Sequence, residues 1–243
     1  VFMKPDYITD TDWQLLKEKY PNRMDEVLKK LNEDYPVQYL IGTVPFLNAE
    51  IKVDNRALIP RFETEYLVSK IIDKFKKEQN LKIIELGTGS GCIAIALKKN
   101  LSCQVTTVDI SKLALELAKE NAIANKVDIN FIHKSMFDVS YEGYDILISN
   151  PPYVSIDEYV SPNTKYEPSL ALYAKNDGME FYEKIIEKVS KTNKKPKNII
   201  FEIGAFQGEK IQNLKDIYLK DYELVIEKDL TGRDRFAFFT KIE

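Results

Sequence analysis

The 243-residue chain has one histidine, one tryptophan and two cysteines. With His133 alone, and cysteines only at Cys92 and Cys103, no Cys/His set has metal-ligand spacing, so no metal is expected. So sparse a cysteine content predicts free thiols in a reducing, cytoplasmic location rather than a disulfide framework. Long apolar runs are also missing: the stretch Cys92 to Leu97 is far short of the roughly 20 residues a membrane helix needs. Nor does one sign of charge prevail. Thirty-five basic against 38 acidic side chains leave a net charge of −3, which argues against direct nucleic-acid or membrane binding. Arginine is scarce, at Arg23, Arg56, Arg61, Arg233 and Arg235 only, against thirty lysines. The start, Val1-Phe2-Met3-Lys4, lacks the charged-then-apolar pattern of a secretory signal, and its non-Met first residue suggests a trimmed or engineered end.

What is present, 44% hydrophobic and 30% charged residues, predicts one large globular domain, alone or with a small appendage. Trp13, Leu16 and Tyr20, then Met24, Val27, Leu28 and Leu31 after Pro21, predict two short helices, too little for an independent core. Between Pro36 and Pro60 the period shifts towards two, predicting a hairpin connector. Leu67, Val68, Ile71, Ile72 and Phe75 form one apolar helical face. From there, strands near 82–86, 104–108, 129–133, 144–149, 199–203 and 222–227 alternate with helices near 91–99, 111–125, 178–191 and 205–219. That rhythm predicts an α/β fold with a mostly parallel, Rossmann-like sheet. The last segment, around Phe236, follows a turn at Thr231-Gly232 and is expected to pair antiparallel. The stretch Lys188 to Lys197 reads as a solvated loop.

Two constellations carry chemistry. Ile83-Ile84-Glu85-Leu86 runs into Gly87-Thr88-Gly89-Ser90-Gly91 and a helix opens at Cys92. This is G-x-G-x-G, not the G-x-G-x-x-G that cradles a pyrophosphate. A carboxylate at Glu85 repels polyphosphate and attracts a cation or an amine. Asp109, closing the next strand, is placed to accept from ribose hydroxyls. A positively charged nucleoside without phosphate satisfies all of these, and S-adenosylmethionine fits. The second constellation, Asn150-Pro151-Pro152-Tyr153, follows a buried strand at the end where open α/β sheets bind ligands. Its prolines remove donors, so Asn150 and the Pro151 carbonyl offer acceptors suited to an –NH2 group, and Tyr153 offers an aromatic face.

These elements, together with Pro36-Val37-Gln38-Tyr39-Leu40-Ile41-Gly42, Leu58-Ile59-Pro60-Arg61-Phe62-Glu63-Thr64-Glu65, Glu167-Pro168, Asp177-Gly178, Glu202-Ile203-Gly204 with Gln207, and Gly232-Arg233-Asp234-Arg235, resemble the HemK/PrmC class of protein-(glutamine-N5) methyltransferases. The resemblance covers roughly residues 36–243. It implies a class I methyltransferase domain over 63–243, a β-hairpin connector over 36–62 and a shortened helical docking segment over 1–35. It implies that Gly87, Thr88, Gly89, Ser90 and Gly91 line S-adenosylmethionine, that Asp109 holds its ribose, and that Met136 or Phe137 lies against its adenine. It also implies that Asn150, Pro151, Pro152 and Tyr153 grip the glutamine of the Gly-Gly-Gln loop in bacterial class 1 peptide chain release factors. Arg61 has two readings, an ion pair fixing the hairpin over the cofactor or a contact with the substrate backbone. Phe62 stands where the family usually has Pro. His133 reads as a structural strand-end residue. The alternatives are a nucleic-acid methyltransferase acting on adenine N6 or guanine N2, a protein that binds S-adenosylmethionine without turnover, and a nicotinamide oxidoreductase, which the glycine spacing disfavours.

Overall fold

The computed structural model describes residues 3–242. Seven strands form one sheet among the described residues: β3 (Leu81–Leu86), β4 (Cys103–Asp109), β5 (Asn130–His133), β6 (Ile146–Ser149), β7 (Asn198–Glu202), β8 (Tyr222–Lys228) and β9 (Asp234–Lys241). Their order is β5-β4-β3-β6-β7-β9-β8, parallel except for the antiparallel pairs that β9 makes with β7 and β8. The chain thus runs outward from β3 in one direction and returns to start outward again at β6. The crevice between the carboxyl ends of β3 and β6 is therefore the switch point where such sheets bind ligands.

Central strands are apolar on both sides because helices cover both faces. In β3, Ile83 packs into one core with α4 (Phe62–Phe75) and α5 (Cys92–Asn100). Its neighbour Ile84 enters the opposite core with α7 (Glu180–Ser190) and α8 (Gly208–Tyr218). Predicted strands and helices agree with these spans to within a few residues, and Asp229 closes the β8–β9 turn through the Thr231 and Arg233 amides. Cys103 begins β4 rather than lying in a loop.

Two departures concern the first third of the chain. Residues Val37–Ile41, inside the expected hairpin connector, form a short helix, α3, because Pro36 caps its start and Gly42 (φ 91°) stops it in the left-handed region. Leu40 then closes a small core over α1 (Asp10–Lys19) and α2 (Met24–Asn32), packing with Trp13, Leu16, Val27 and Leu31. Its neighbour Tyr39 points into the main core. Beyond α3, the hairpin β1 (Thr43–Phe46) and β2 (Ala49–Lys52) is laid against α6 (Lys112–Ala124). The Asn121 side chain both accepts from Lys52 N (2.8 Å) and donates to Lys52 O (3.0 Å), substituting for a neighbouring strand.

The lysine-rich stretch is also less solvated than its sequence suggests. Lys188 donates to Phe137 O, and Lys195 pairs with Asp221 at 3.0 Å. No helix among the described residues is long and apolar enough to cross a membrane.

Candidate active site

A cavity of about 280 Å³ opens at the β3/β6 switch point, near the lower end of the range for small-molecule sites. Its wall brings together Glu85, Gly87, Thr88, Gly89, Ser90, Asp109, Met136, Phe137, Asn150, Pro152 and Arg61, all singled out from sequence. Gly91 has turned away to cap α5, and Pro151 and Tyr153 are not on the wall. The Tyr153 hydroxyl reaches back 3.4 Å to Glu202 Oε1. His133, exposed at the end of β5, lies 3.0 Å from Ile110 O and lines no part of the cavity.

Glu85 lies on the innermost strand. Its Oε2 accepts from Thr107 at 2.7 Å, and Thr107 in turn meets Thr88 at 2.7 Å. Its Oε1 is buried with no hydrogen-bond partner. Burial pushes this carboxyl up to about 8, against the pull of the Thr107 hydrogen bond, and the Asp109 charge adds to the rise. An unpaired buried carboxylate oxygen on a residue that lines a cavity lacks a donor that a ligand would supply.

Asp109 ends β4, and its oxygens accept from Gly89 N (2.9 Å) and Ser111 N (2.8 Å). Burial raises its carboxyl while these amides hold it down. Each oxygen has a second lone pair, so acceptor capacity remains for hydroxyl groups. Gly89 sits at φ 52°, where an added Cβ would have nothing within 4 Å; it would project into open space. Phe137 stacks on Phe181 with ring centroids 5.7 Å apart, which fixes an apolar plate beside Met136.

The opposite wall is a segment from Arg56 to Arg61 that connects the hairpin to α4. Two buried anchors hold it down. Tyr39 donates to Ala57 O at 2.9 Å, and Glu167 accepts from Ile59 N at 2.9 Å while pairing with Arg61. The Glu167 side chain is 1% exposed and that of Arg61 33%, so a half-buried ion pair ties this segment down. Arg235 is likewise committed, to Asp229 and to Ile203 O.

The decisive comparison is with whole proteins. A release factor glutamine methyltransferase of Lactococcus lactis is 40% identical over 231 residues, covering 91% of this chain and 84% of that protein. The chain belongs to the release factor glutamine methyltransferase family. Another member, from Streptococcus pneumoniae, is 38% identical over 236 residues, with coverages of 96% and 84%. The methyltransferase small domain family matches residues 64–163. Among solved structures, the hMettl16 catalytic domain in complex with an RNA hairpin superposes with TM-score 0.64 at 14% identity, over 98% of this chain and 94% of that one. A ribosomal protein L11 methylase from Lactobacillus delbrueckii gives 0.56 at 20% identity, over 79% and 86%. At such identities both show the fold alone, that of a class I methyltransferase.

Several residues that shape this family member's cavity escaped the sequence reading. Thr64 and Glu202 lie in family-matching blocks without an assigned role, yet Thr64 Oγ1 lies between Glu202 Oε2 (2.6 Å) and Asn150 Nδ2 (3.1 Å). An acidic residue ending an apolar strand was the signal that found Asp109, and Glu202 carries the same signal at the end of β7. Glu167 also lies in a family-matching block without an assigned role, while Thr107 carries no such mark; the partners of both are distant in sequence.

Proposed function

We propose that this protein transfers a methyl group from S-adenosylmethionine to the side-chain amide nitrogen of the glutamine in the Gly-Gly-Gln loop of bacterial class 1 peptide chain release factors. The observation that carries the reading is Asn150 on the wall of a cavity that is also lined by Glu85, whose buried Oε1 has no partner.

The residues present fit that cofactor. Glu85 Oε1 lacks a donor that an ammonium group provides, Asp109 keeps lone pairs for ribose hydroxyls, and Gly89 leaves space a Cβ would fill. Thr88, Ser90 and the Gly87 backbone would line it, and Met136 and Phe137 would cover its adenine. When bound, it supplies a methyl carbon made electrophilic by the sulfonium. The protein's task is the nucleophile. An amide nitrogen is poorly nucleophilic because its lone pair is delocalised. An acceptor at Asn150 Oδ1, the member of the turn whose side chain lines the cavity, would hold an N–H bond and turn the lone pair towards the methyl carbon. Positioning two reactants in this way lowers the barrier by several kcal/mol without a general base or covalent intermediate.

Residues 63–243 act as the catalytic domain in this reading, 36–62 as the connector that also roofs the cavity, and 1–35 as the docking segment. That segment leans on the chain following the Asn150 turn: Tyr35 and Tyr166 meet edge-on at 4.9 Å, and Tyr166 donates to Glu33 O. Its work in translation termination places the enzyme in the cytoplasm. Incubation with cofactor and a purified release factor adds about 14 Da to the Gly-Gly-Gln peptide, one methyl for one hydrogen. An unchanged peptide mass, with cofactor binding demonstrated, refutes the proposal.

A further inference from the structure

Asn150 is useful as an acceptor only if its amide oxygen, not its nitrogen, faces the substrate. The two orientations of an asparagine amide have nearly the same shape and differ by a half-turn of χ2, so packing alone does not choose between them. Here a hydrogen-bond chain does. Thr64, near the start of α4, is 3% exposed, and its hydroxyl donates to Glu202 Oε2 at 2.6 Å. A hydroxyl has one proton. Once it is given to a carboxylate, Thr64 Oγ1 can only accept, and it accepts from Asn150 Nδ2 at 3.1 Å. The Asn150 nitrogen is thereby committed to Thr64, and Oδ1 is left on the other side of the amide.

We infer that Thr64 and Glu202 are positioning residues that lock the Asn150 side chain with its oxygen towards the substrate nitrogen. The inference rests on the reading of Asn150 given above. It joins three elements distant in sequence, α4, β7 and the turn after β6, at one side chain on the cavity wall. It also assigns a reason for a buried carboxylate that makes no direct contact with the cavity: Glu202 is 1% exposed and absent from the lining.

The direction of the chain depends on Glu202 remaining an acceptor. The groups acting on it come from every neighbouring element. Arg235 on β9 supplies the opposite charge, Glu63 on α4 a like one, and the Tyr153 hydroxyl a long hydrogen bond. Tyr182 on α7 donates to its backbone carbonyl at 2.7 Å, and Cys92 at the start of α5 senses its charge. Burial outweighs the favourable contacts and pushes the Glu202 carboxyl up to about 7. Once protonated it can donate to Thr64, whose own proton is then free for Asn150, and the reversed amide becomes equally well satisfied. Turnover therefore falls as pH drops through about 7.

The test uses Thr64→Val, which keeps shape and removes the hydroxyl, Thr64→Ser, which restores it, and Glu202→Gln. With release factor and saturating cofactor, Thr64→Val is expected to lower kcat about 10- to 100-fold while cofactor Kd stays within about twofold. Thr64→Ser should recover kcat to within about threefold, and the acid limb near pH 7 should disappear in the Val variant. A wild-type kcat in folded Thr64→Val, or loss of cofactor affinity in step with kcat, overturns the inference. Should the Val variant not fold, Glu202→Gln carries the same comparison. Amide hydrogen exchange of the 15N-labelled Asn150 side chain, assigned by its absence in Asn150→Asp, gives a readout independent of any protein substrate. Protection in the wild type that is lost in Thr64→Val or Glu202→Gln supports the lock, and an unprotected wild-type amide refutes it. If the wild type fails to methylate release factors, the glutamine reading falls while the exchange measurement still decides this one.

Discussion

Replacing Glu85 with Gln probes the innermost group of the cavity through two opposite effects. In the free protein the carboxyl is pushed from its ordinary 4.5 up to about 8, chiefly by burial. The folded state therefore holds a proton that the unfolded state has released between those pH values, and stability falls as pH rises from about 4.5 to 8. The shift sets a ceiling of about 5 kcal/mol at 1.36 kcal/mol per pH unit, and relaxation with water entry from the open cavity brings the expected loss to about 2 kcal/mol. Glu85→Gln cannot ionise, so without ligand it should be more stable than wild type at pH 8 and equal to it near pH 5. The residual slope comes from the other shifted groups, Glu202 and Asp109 among them. Cofactor binding should respond in the opposite sense. A cationic ligand needs the ionised form, so wild-type affinity should rise about tenfold per pH unit between pH 6 and 7.5, and the Gln variant should show no such slope. At pH 7.5 losing the charge-assisted contact should cost about 2–4 kcal/mol, or about 30- to 700-fold in Kd. Thermal unfolding across pH and calorimetric titration measure both. A flat wild-type binding profile, or the same slope in both proteins, would show that Glu85 does not meet the cation.

Two further changes test the frame around the cavity. Glu167→Gln removes the charge that Arg61 pairs with and weakens the acceptor for Ile59 N, so chemical denaturation should show about 2–4 kcal/mol lost; a loss below about 0.5 kcal/mol would mean that the clamp is not energetically closed. Gly178→Ala places a Cβ 2.0 Å from Tyr153 O in a residue at φ 79°, so it should destabilise by more than about 2 kcal/mol and lower turnover by displacing the Asn150 turn. A variant with unchanged melting temperature and kcat would contradict the close packing of those two loops.

Much of the fold is legible in the sequence, for a physical reason. Strand β3 reads apolar on both faces and ends in an acidic residue and alternating glycines, so both its burial and its ligand end are written within ten residues. The same holds for β6 and Asn150, where prolines follow the strand. Helix α3 is not legible in the sequence because five residues carry too little periodicity to stand out from a flanking alternation, and only Pro36 and Gly42 mark its limits. Of the arginines in the family-matching blocks, Arg61 and Arg235 are committed to buried partners, whereas Arg233 is exposed. Arg56, outside the family blocks, anchors the segment over the cavity through Asp54 and Glu120.

Sequence by itself determined the order of strands and helices, the glycine loop after β3, and the Asn-Pro-Pro-Tyr turn, because each is set by local periodicity and by residues adjacent in the chain. Only the tertiary structure decided which way those groups face. Glu85 has one satisfied and one unsatisfied oxygen because Thr107, across a strand pair, reaches only one of them. Asn150 presents its oxygen because Thr64, 86 residues before it, accepts from its nitrogen while donating to Glu202, 138 residues further along the chain from Thr64. Contacts of that separation exist only once the sheet has closed, and no local pattern encodes them.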